Sequence, residues 1–244
     1  MKRDLLKEFE SIIMKQKLNE NVKQKLLGNL LRLKKQKVNL MVTGATGCGK
    51  SSTINSLFGV EVAKVGTSVD PETMDLDSYS LNDVFRLWDT PGLGDGVAND
   101  EIHKRKLVDL LYKTYSLDGN IYGWIDSAIV VLEGLNRDMG STYTLLNEVI
   151  VPNIQADRIL VVINQADMAM KGRHWNKETN RPDEVLVDFL ERQALSIQNR
   201  VKEATGVTIR KPVYYSAEYG YNIEKLLDFI IDNMIVERRP LVRA

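Results

Sequence analysis

The sequence predicts an α/β protein: a doubly wound, mostly parallel sheet of about six strands with helices on both faces. Three observations carry that prediction. Central runs such as "AIVV" and "ILVVI" show no polar alternation, as expected of strands covered on both sides. These runs alternate with stretches of helical periodicity. A glycine-rich loop joins the first strand to the helix that follows it, at the strand end where such sheets bind ligands.

Residues 1–36 precede this alternation. Leu5, Leu6, Phe9, Ile12 and Ile13 fall on one helical face, and Leu26, Leu27, Leu30, Leu31 and Leu33 make a second stripe. Asn19, Glu20 and Asn21 mark the break between two packing helices with basic outer faces. This N-terminal helical segment is followed by one large domain, residues 37–237. A basic tail, residues 238–244, closes the chain and is expected to be solvated.

Within the large domain, Val38 to Val42 is a strand, and Lys50 to Phe58 a helix that Gly59 is placed to stop. Asp75 to Leu81 alternates, Asn82-Asp83 signals a turn, and Val84 to Asp89 is apolar, which together predict an antiparallel hairpin. A helix is expected near Asp100 to Tyr115, a strand from Asp126 to Gly134, and a helix near Ser141 to Ile150. The strand Arg158 to Asn164 comes next, then a long helix from about Pro182 to Ala204. A short strand, "PVYYSA", and a helix from Asn222 to about Ile235 end the domain.

The totals restrict the class. The chain has 244 residues, enough to bury a sizeable core, with 33 basic against 33 acidic residues and a hydrophobic fraction of 43%. No global field draws it to nucleic acid, DNA included, or to anionic lipid. The single cysteine, Cys48, rules out an internal disulfide framework and suits a reducing compartment. The start, "MKRDLLKEFE", is charged where a secretory leader needs an apolar stretch, and no apolar run is long enough to span a bilayer. The expected location is cytoplasmic.

The loops after the strands carry the chemistry. Gly44-Ala45-Thr46-Gly47-Cys48-Gly49-Lys50-Ser51 fits the phosphate-loop pattern, with Ser52 beside it in the helix. Glycines let consecutive N–H groups turn inward on phosphate oxygens, and the helix N-terminus adds its positive end. Lys50 can reach the β- and γ-phosphates, and the Ser51 hydroxyl can ligate Mg²⁺. After the next strand, Asp89-Thr90-Pro91-Gly92 offers a carboxylate to hold Mg²⁺ through water and, at Gly92, an N–H able to sense a γ-phosphate. Asn164-Gln165-Ala166-Asp167 follows "RILVVI". Its Asp167 carboxylate can accept two hydrogen bonds from the N1–H and N2–H₂ edge of guanine, a donor pair that adenine lacks. Asn164 braces neighbouring loops, and Ser216-Ala217 places the Ala217 N–H for guanine O6.

This order of motifs resembles the translation-factor-related GTPases, in particular the Era-like group and its bacterial HSR1/YfjP-type relatives. The phosphate loop is also similar to that of the immunity-related GTPases. The resemblance spans residues 37–237 and implies a Ras-like G domain that binds GTP or GDP with Mg²⁺, hydrolyses GTP slowly and switches with nucleotide state. It also implies a first-switch threonine closing on Mg²⁺ and the γ-phosphate. Thr67 and Thr73 are the candidates, and Thr73 has the family's spacing from Asp89.

Departures from the pattern bear on rate and affinity. Leu93 stands where small signalling GTPases carry a water-orienting glutamine, which predicts slow intrinsic hydrolysis. Gly47 stands where some relatives have a potassium-holding asparagine, and Gln165 replaces a lysine that lies along the base. Cys48 contributes backbone alone; His103 is expected to be a solvated helix residue. His174 and Trp175 lie in a polar insertion, residues 168–182, read as a loop near the base or a partner contact. A nucleotide-dependent homodimer or protein partner fits this class. No RNA-binding motif follows the core, so a ribosome contact rests on relatives alone. The rival readings are a GTP-gated interaction module with incidental turnover and an ATPase or small-molecule kinase.

Overall fold

The computed structural model describes residues 38–58, 77–80, 85–90, 97–135, 140–233, 235 and 237–241. The N-terminal helical segment, Gly59, Thr67, Thr73, Gly92 and Leu93 lie outside the described residues. Three strands form the centre: β1 (Val38–Gly44), β6 (Ser127–Glu133) and β7 (Ile159–Asn164). They are joined by β2 (Asp77–Ser80), β3 (Phe85–Asp89) and β10 (Val213–Tyr214) into a six-stranded sheet of order β10-β7-β6-β1-β3-β2. Only the edge strand β2 runs antiparallel, with Asp77 opposite Asp89 and Ser80 opposite Arg86. The expected hairpin and the mostly parallel sheet are both present.

Side-chain alternation along the central strands divides the core in two, because successive residues of a strand point to opposite faces. Met41, Val130, Leu132, Val161 and Ile163 face α2 (Val97–Tyr112), α3 (Gly140–Thr144) with its continuation, and α4 (Glu184–Thr205). Leu40, Val42, Ile129, Val131 and Val162 face α1 (Lys50–Phe58) and α5 (Ile223–Asn233). Every residue of β6 and β7 from Ser127 to Leu132 and from Ile159 to Asn164 is buried, which explains the unbroken apolar runs. α4 begins on Asp183, whose carboxylate accepts from Leu186 N at 3.0 Å.

Three elements differ from expectation. α2 stops at Tyr112, and the chain then forms a hairpin, β4 (Thr114–Leu117) with β5 (Asn120–Gly123). Its tip is Asp118-Gly119, with φ of 50° and 79°, the mirror-image turn that suits hairpin twist. The helix near Ser141 to Ile150 widens after Thr144 into a π-helical turn, Leu145–Ile150, closed by Val151 N donating to Leu146 O. The insertion carries a small hairpin of its own, β8 (Trp175–Asn176) with β9 (Arg181–Pro182).

The described end of the chain is not the solvated tail the composition suggests. Arg239 is 2% exposed and donates to the carbonyls of Ile125 and Leu111, and Gly123 N donates back to Arg239 O at 2.9 Å. Two buried carbonyls that need a donor outweigh the cost of taking the guanidinium out of water.

Candidate nucleotide-binding site

The carboxyl ends of the parallel strands β1, β3, β7 and β10 lie at one edge of the sheet, as the topology requires. After β1 the chain turns sharply through Gly44-Ala45-Thr46-Gly47-Cys48-Gly49 into the first turn of α1. A Cβ on Gly44 would lie 2.3 Å from Val131 O, so only glycine lets this loop pass against β6. Gly49 has φ of 84°, and a Cβ there would meet Asn164 Nδ2 at 2.3 Å. Lys50 folds back over the loop and donates from Nζ to Ala45 O (3.1 Å) and Gly44 O (3.4 Å). Thr46, Gly47, Ser51 and Ser52 are exposed around this lysine. The loop is therefore a concave shell of backbone with one cation above it and a helix N-terminus behind, an arrangement suited to anionic oxygens.

Cys48 is buried completely within this shell. Burial, opposed only in part by the Lys50 ammonium, pushes its thiol up to about 11. It stays protonated at neutral pH and is no nucleophile.

Ser51 Oγ donates to Asp89 Oδ2 at 3.0 Å, so the helix hydroxyl and the carboxylate ending β3 converge on one point. Thr90 holds the start of the following loop to β1, its Oγ1 donating to Val42 O at 3.0 Å. Among the described residues no cluster of three or more His, Cys, Asp or Glu could hold a metal ion. A hydroxyl and one carboxylate leave most of a six-oxygen shell to be filled by phosphate and water, which fits Mg²⁺ arriving with a nucleotide rather than a resident ion.

Asn164 braces two loops at once. Its Nδ2 donates to Cys48 O at 3.0 Å, and its Oδ1 accepts from Ala217 N at 3.0 Å. The expected bracing role is thus observed, and it displaces another expectation. The Ala217 N–H is engaged by Asn164 here instead of pointing at a base. Ser216 is wholly buried and forms a backbone bridge with Tyr221, which turns the loop inward and brings Ala217 within reach of the asparagine. Gln165, at φ of 59°, reaches across and donates from Nε2 to Gly47 O at 2.9 Å. Asp167 is the second residue of the 3₁₀ turn Ala166–Gly172; it is 8% exposed, and its Oδ1 has no hydrogen-bond partner among the described residues. A buried carboxylate oxygen without a donor is costly in isolation and is what a ligand carrying two adjacent N–H groups would satisfy.

Two supporting residues were not anticipated. Thr53 Oγ1 donates to Gly49 O at 2.7 Å and lies 2.6 Å from the hydroxyl of Tyr215, a fully buried tyrosine just beyond β10. Ser56 Oγ donates to Ala217 O at 3.0 Å. Both residues sit on α1 facing the last loop, at helical spacing from Gly49, but nothing in the sequence says which strand end lies beneath them. His103 lies half-buried on α2.

Residues 39–200 match the family model for a 50S ribosome-binding GTPase, most of the chain. The chain belongs to that GTPase family. Over 77 residues it is 32% identical to cell division control protein 11 of Encephalitozoon cuniculi, which covers 31% of this chain and 29% of that protein. It therefore spans under a third of that relative's length. Its fold is similar to that of the chloroplast translocon component atToc33 or psToc159, with a TM-score of 0.60 at 18% identity over 93% of this chain and 96% of the other. Toc33 from Arabidopsis thaliana solved with GDP and Mg²⁺ gives a TM-score of 0.58 at 19% identity, over 91% and 95%.

Proposed function

We propose that this GTPase is a Mg²⁺-dependent guanine-nucleotide switch with slow intrinsic turnover. The single observation that carries the base assignment is Asp167, a nearly buried carboxylate with an unsatisfied oxygen, held beside the phosphate loop by Asn164. Its two oxygens match the two donors on the guanine edge. The loop amides from Gly44 to Lys50 and the Lys50 ammonium would take the phosphates, and Ser51 with Asp89 would hold Mg²⁺, whose charge would offset that of the phosphates. From the sequence alone, Thr73 and the Gly92 amide are the candidates for the γ-phosphate; both lie outside the described residues. Lys50 and the backbone amides then stabilise charge as water attacks the γ-phosphorus in line, its new P–O bond forming while the bond to the β–γ bridging oxygen breaks and GDP leaves.

Isothermal calorimetry with GDP and ADP tests this reading, with GDP expected to bind and ADP to fail. Asp167→Asn should shift preference towards xanthosine diphosphate, because the amide then donates where the purine offers an oxygen. Equal affinity for GDP and ADP would overturn the base assignment.

A second reading has its own support. Leu93 stands at the water-orienting position, and an aliphatic side chain cannot polarise water. The structure of the atToc33 and psToc159 components carries the statement that dimerization is important for their GTPase activity. By the same logic a second copy of this chain, or a protein partner, would complete the hydrolytic site in the GTP state. Single-turnover hydrolysis against protein concentration separates the two. A rate rising steeply with concentration supports completion in a dimer, and a slow, concentration-independent rate supports the solitary switch. Contact with RNA or ribosomes and a cytoplasmic location complete the proposal at the level of family membership and composition.

A further inference from the structure

We propose that Trp175 is a positioning residue that sets base specificity, by holding the Asp167 turn in register with the loop after β10. The inference rests on the guanine-nucleotide reading above. The insertion is closed at its base by two contacts: His174 Nδ1 lies 2.8 Å from Asp183 Oδ2, and Asp183 N donates to His174 O at 2.9 Å. Asp183 also caps α4, so the small hairpin is mounted on a helix of 22 residues whose inner face is core.

From this mount Trp175 projects towards the last loop of the site. Its ring lies 5.5 Å from that of Tyr219 and 5.5 Å from that of Tyr221, the latter edge-on at 87°. Such contacts add to plain area burial and fix ring orientation. Tyr221 is bridged through its backbone to Ser216 in both directions, at 3.0 and 3.1 Å, and Tyr219 N donates to Ser216 Oγ at 3.3 Å. The aromatic cluster thus grips the segment containing Ala217.

On its other side the hairpin continues directly from the Asp167 turn. Met170 and Lys171 are left-handed there, with φ of 52° and 63°, a conformation that ordinary residues keep only when their surroundings hold it. The indole is 9% exposed, and its Nε1 has no hydrogen-bond partner among the described residues. Its burial therefore supplies ring packing rather than a polar contact. Ala166 N to Tyr215 O (3.0 Å) and Ala217 N to Asn164 Oδ1 tie the two loops at their roots. Trp175, on the hairpin that follows the Asp167 turn in the chain, packs against Tyr219 and Tyr221 at the far end of the other loop.

Inosine diphosphate makes the test selective, because its base lacks the 2-amino group and offers Asp167 one donor instead of two. Calorimetry should show the protein preferring GDP over inosine diphosphate by roughly tenfold, the value of one hydrogen bond to a charged group. With Trp175→Ala the Asp167 turn loosens and that ratio should fall to about threefold or less, while Trp175→Phe restores it. A Trp175→Ala protein that binds both nucleotides more weakly at the wild-type ratio overturns the proposal, since Trp175 then serves folding alone. If Trp175→Ala does not fold, Tyr219→Ala decides: Tyr219 is 42% exposed and can be truncated, and an unchanged ratio there also overturns the proposal. A wild-type protein that binds GDP but does not distinguish the two nucleotides removes the two-donor role of Asp167, and this inference with it. Failure to bind GDP at all removes the nucleotide reading itself.

Discussion

The two ends of the central sheet handle buried polar groups in opposite ways. At the carboxyl ends of β1 and β7, Asp167 keeps an oxygen without a donor, while Asn164 spends both of its polar atoms joining loops. At the amino ends of β1, β6 and β7, buried charged side chains are hydrogen-bonded to the backbone. Asp126 Oδ2 accepts from Asn39 N at 2.8 Å, and Arg158 donates to Asp126 O and Glu237 O at 3.1 and 2.9 Å. Arg239 donates to Ile125 O and Leu111 O. Burial pushes the Asp126 carboxyl up, and the two guanidiniums pull it back. The buried charged side chains at one end are thus met by the protein itself, and at the other a carboxylate oxygen is left for a ligand to meet. The comparison separates binding from stability, and each end should fail in its own way.

The largest expected effect is at the ligand end. Lys50→Ala removes the ammonium above the phosphate loop and should weaken GDP binding about a thousandfold, ~4 kcal/mol. The nucleotide-free protein should lose little stability in urea, because Lys50 is itself only half-buried and donates to just two part-buried carbonyls, the one of Gly44 at a long 3.4 Å. A loss of stability matching the loss of binding would break the division between the two ends.

The reverse is expected at the closed end. Arg239→Met leaves the carbonyls of Ile125 and Leu111 without their donor and weakens the compensation of Asp126, which should cost about 3 kcal/mol in urea unfolding. GDP affinity measured well below the transition should not change.

A pH experiment sharpens the comparison inside the ligand end. The Cys48 thiol is raised from 9.0 to about 11 by burial. A group whose folded pKa is the higher one contributes stability in full below its unfolded pKa, and loses it as pH rises through the folded value. Wild type should therefore lose about 2 kcal/mol between pH 9 and pH 11 that Cys48→Ala does not lose, read from paired urea titrations. Parallel curves for the two proteins would show that the thiol titrates normally.

The difference between the two ends also explains what the sequence makes legible. The ligand end is written in local motifs, since a loop that must wrap phosphate needs glycines at fixed spacing and a lysine after them, and a guanine edge needs a carboxylate. The central strands are legible for a similar reason: burial on both faces admits apolar side chains almost without exception. The closed end is written in no motif. Arg239 sits among other basic residues near the end of the chain, and only the packed fold reveals the two carbonyls it serves. The β4–β5 hairpin had its sign in Asp118-Gly119, but the periodicity of α2 runs visibly towards Tyr115 and masks it. The occupation of the Ala217 amide depends on a loop bridge between Ser216 and Tyr221, which no spacing rule encodes.

The smallest expected effect tests whether the support beneath the phosphate loop follows the rule of either end. The one hydroxyl proton of Thr53 goes to Gly49 O, so Tyr215 is the donor in their 2.6 Å contact. Tyr215→Phe then removes a donor but leaves Thr53 hydrogen-bonded. No buried charge or orphaned donor remains, and the cost should be only about 1 kcal/mol, the net value of a neutral hydrogen bond. Because the contact ties α1 to the end of β10, behind the loop rather than within it, GDP affinity should stay within a factor of about two. A much larger loss of binding would mean that the phosphate loop draws its shape from the last strand as much as from its own glycines.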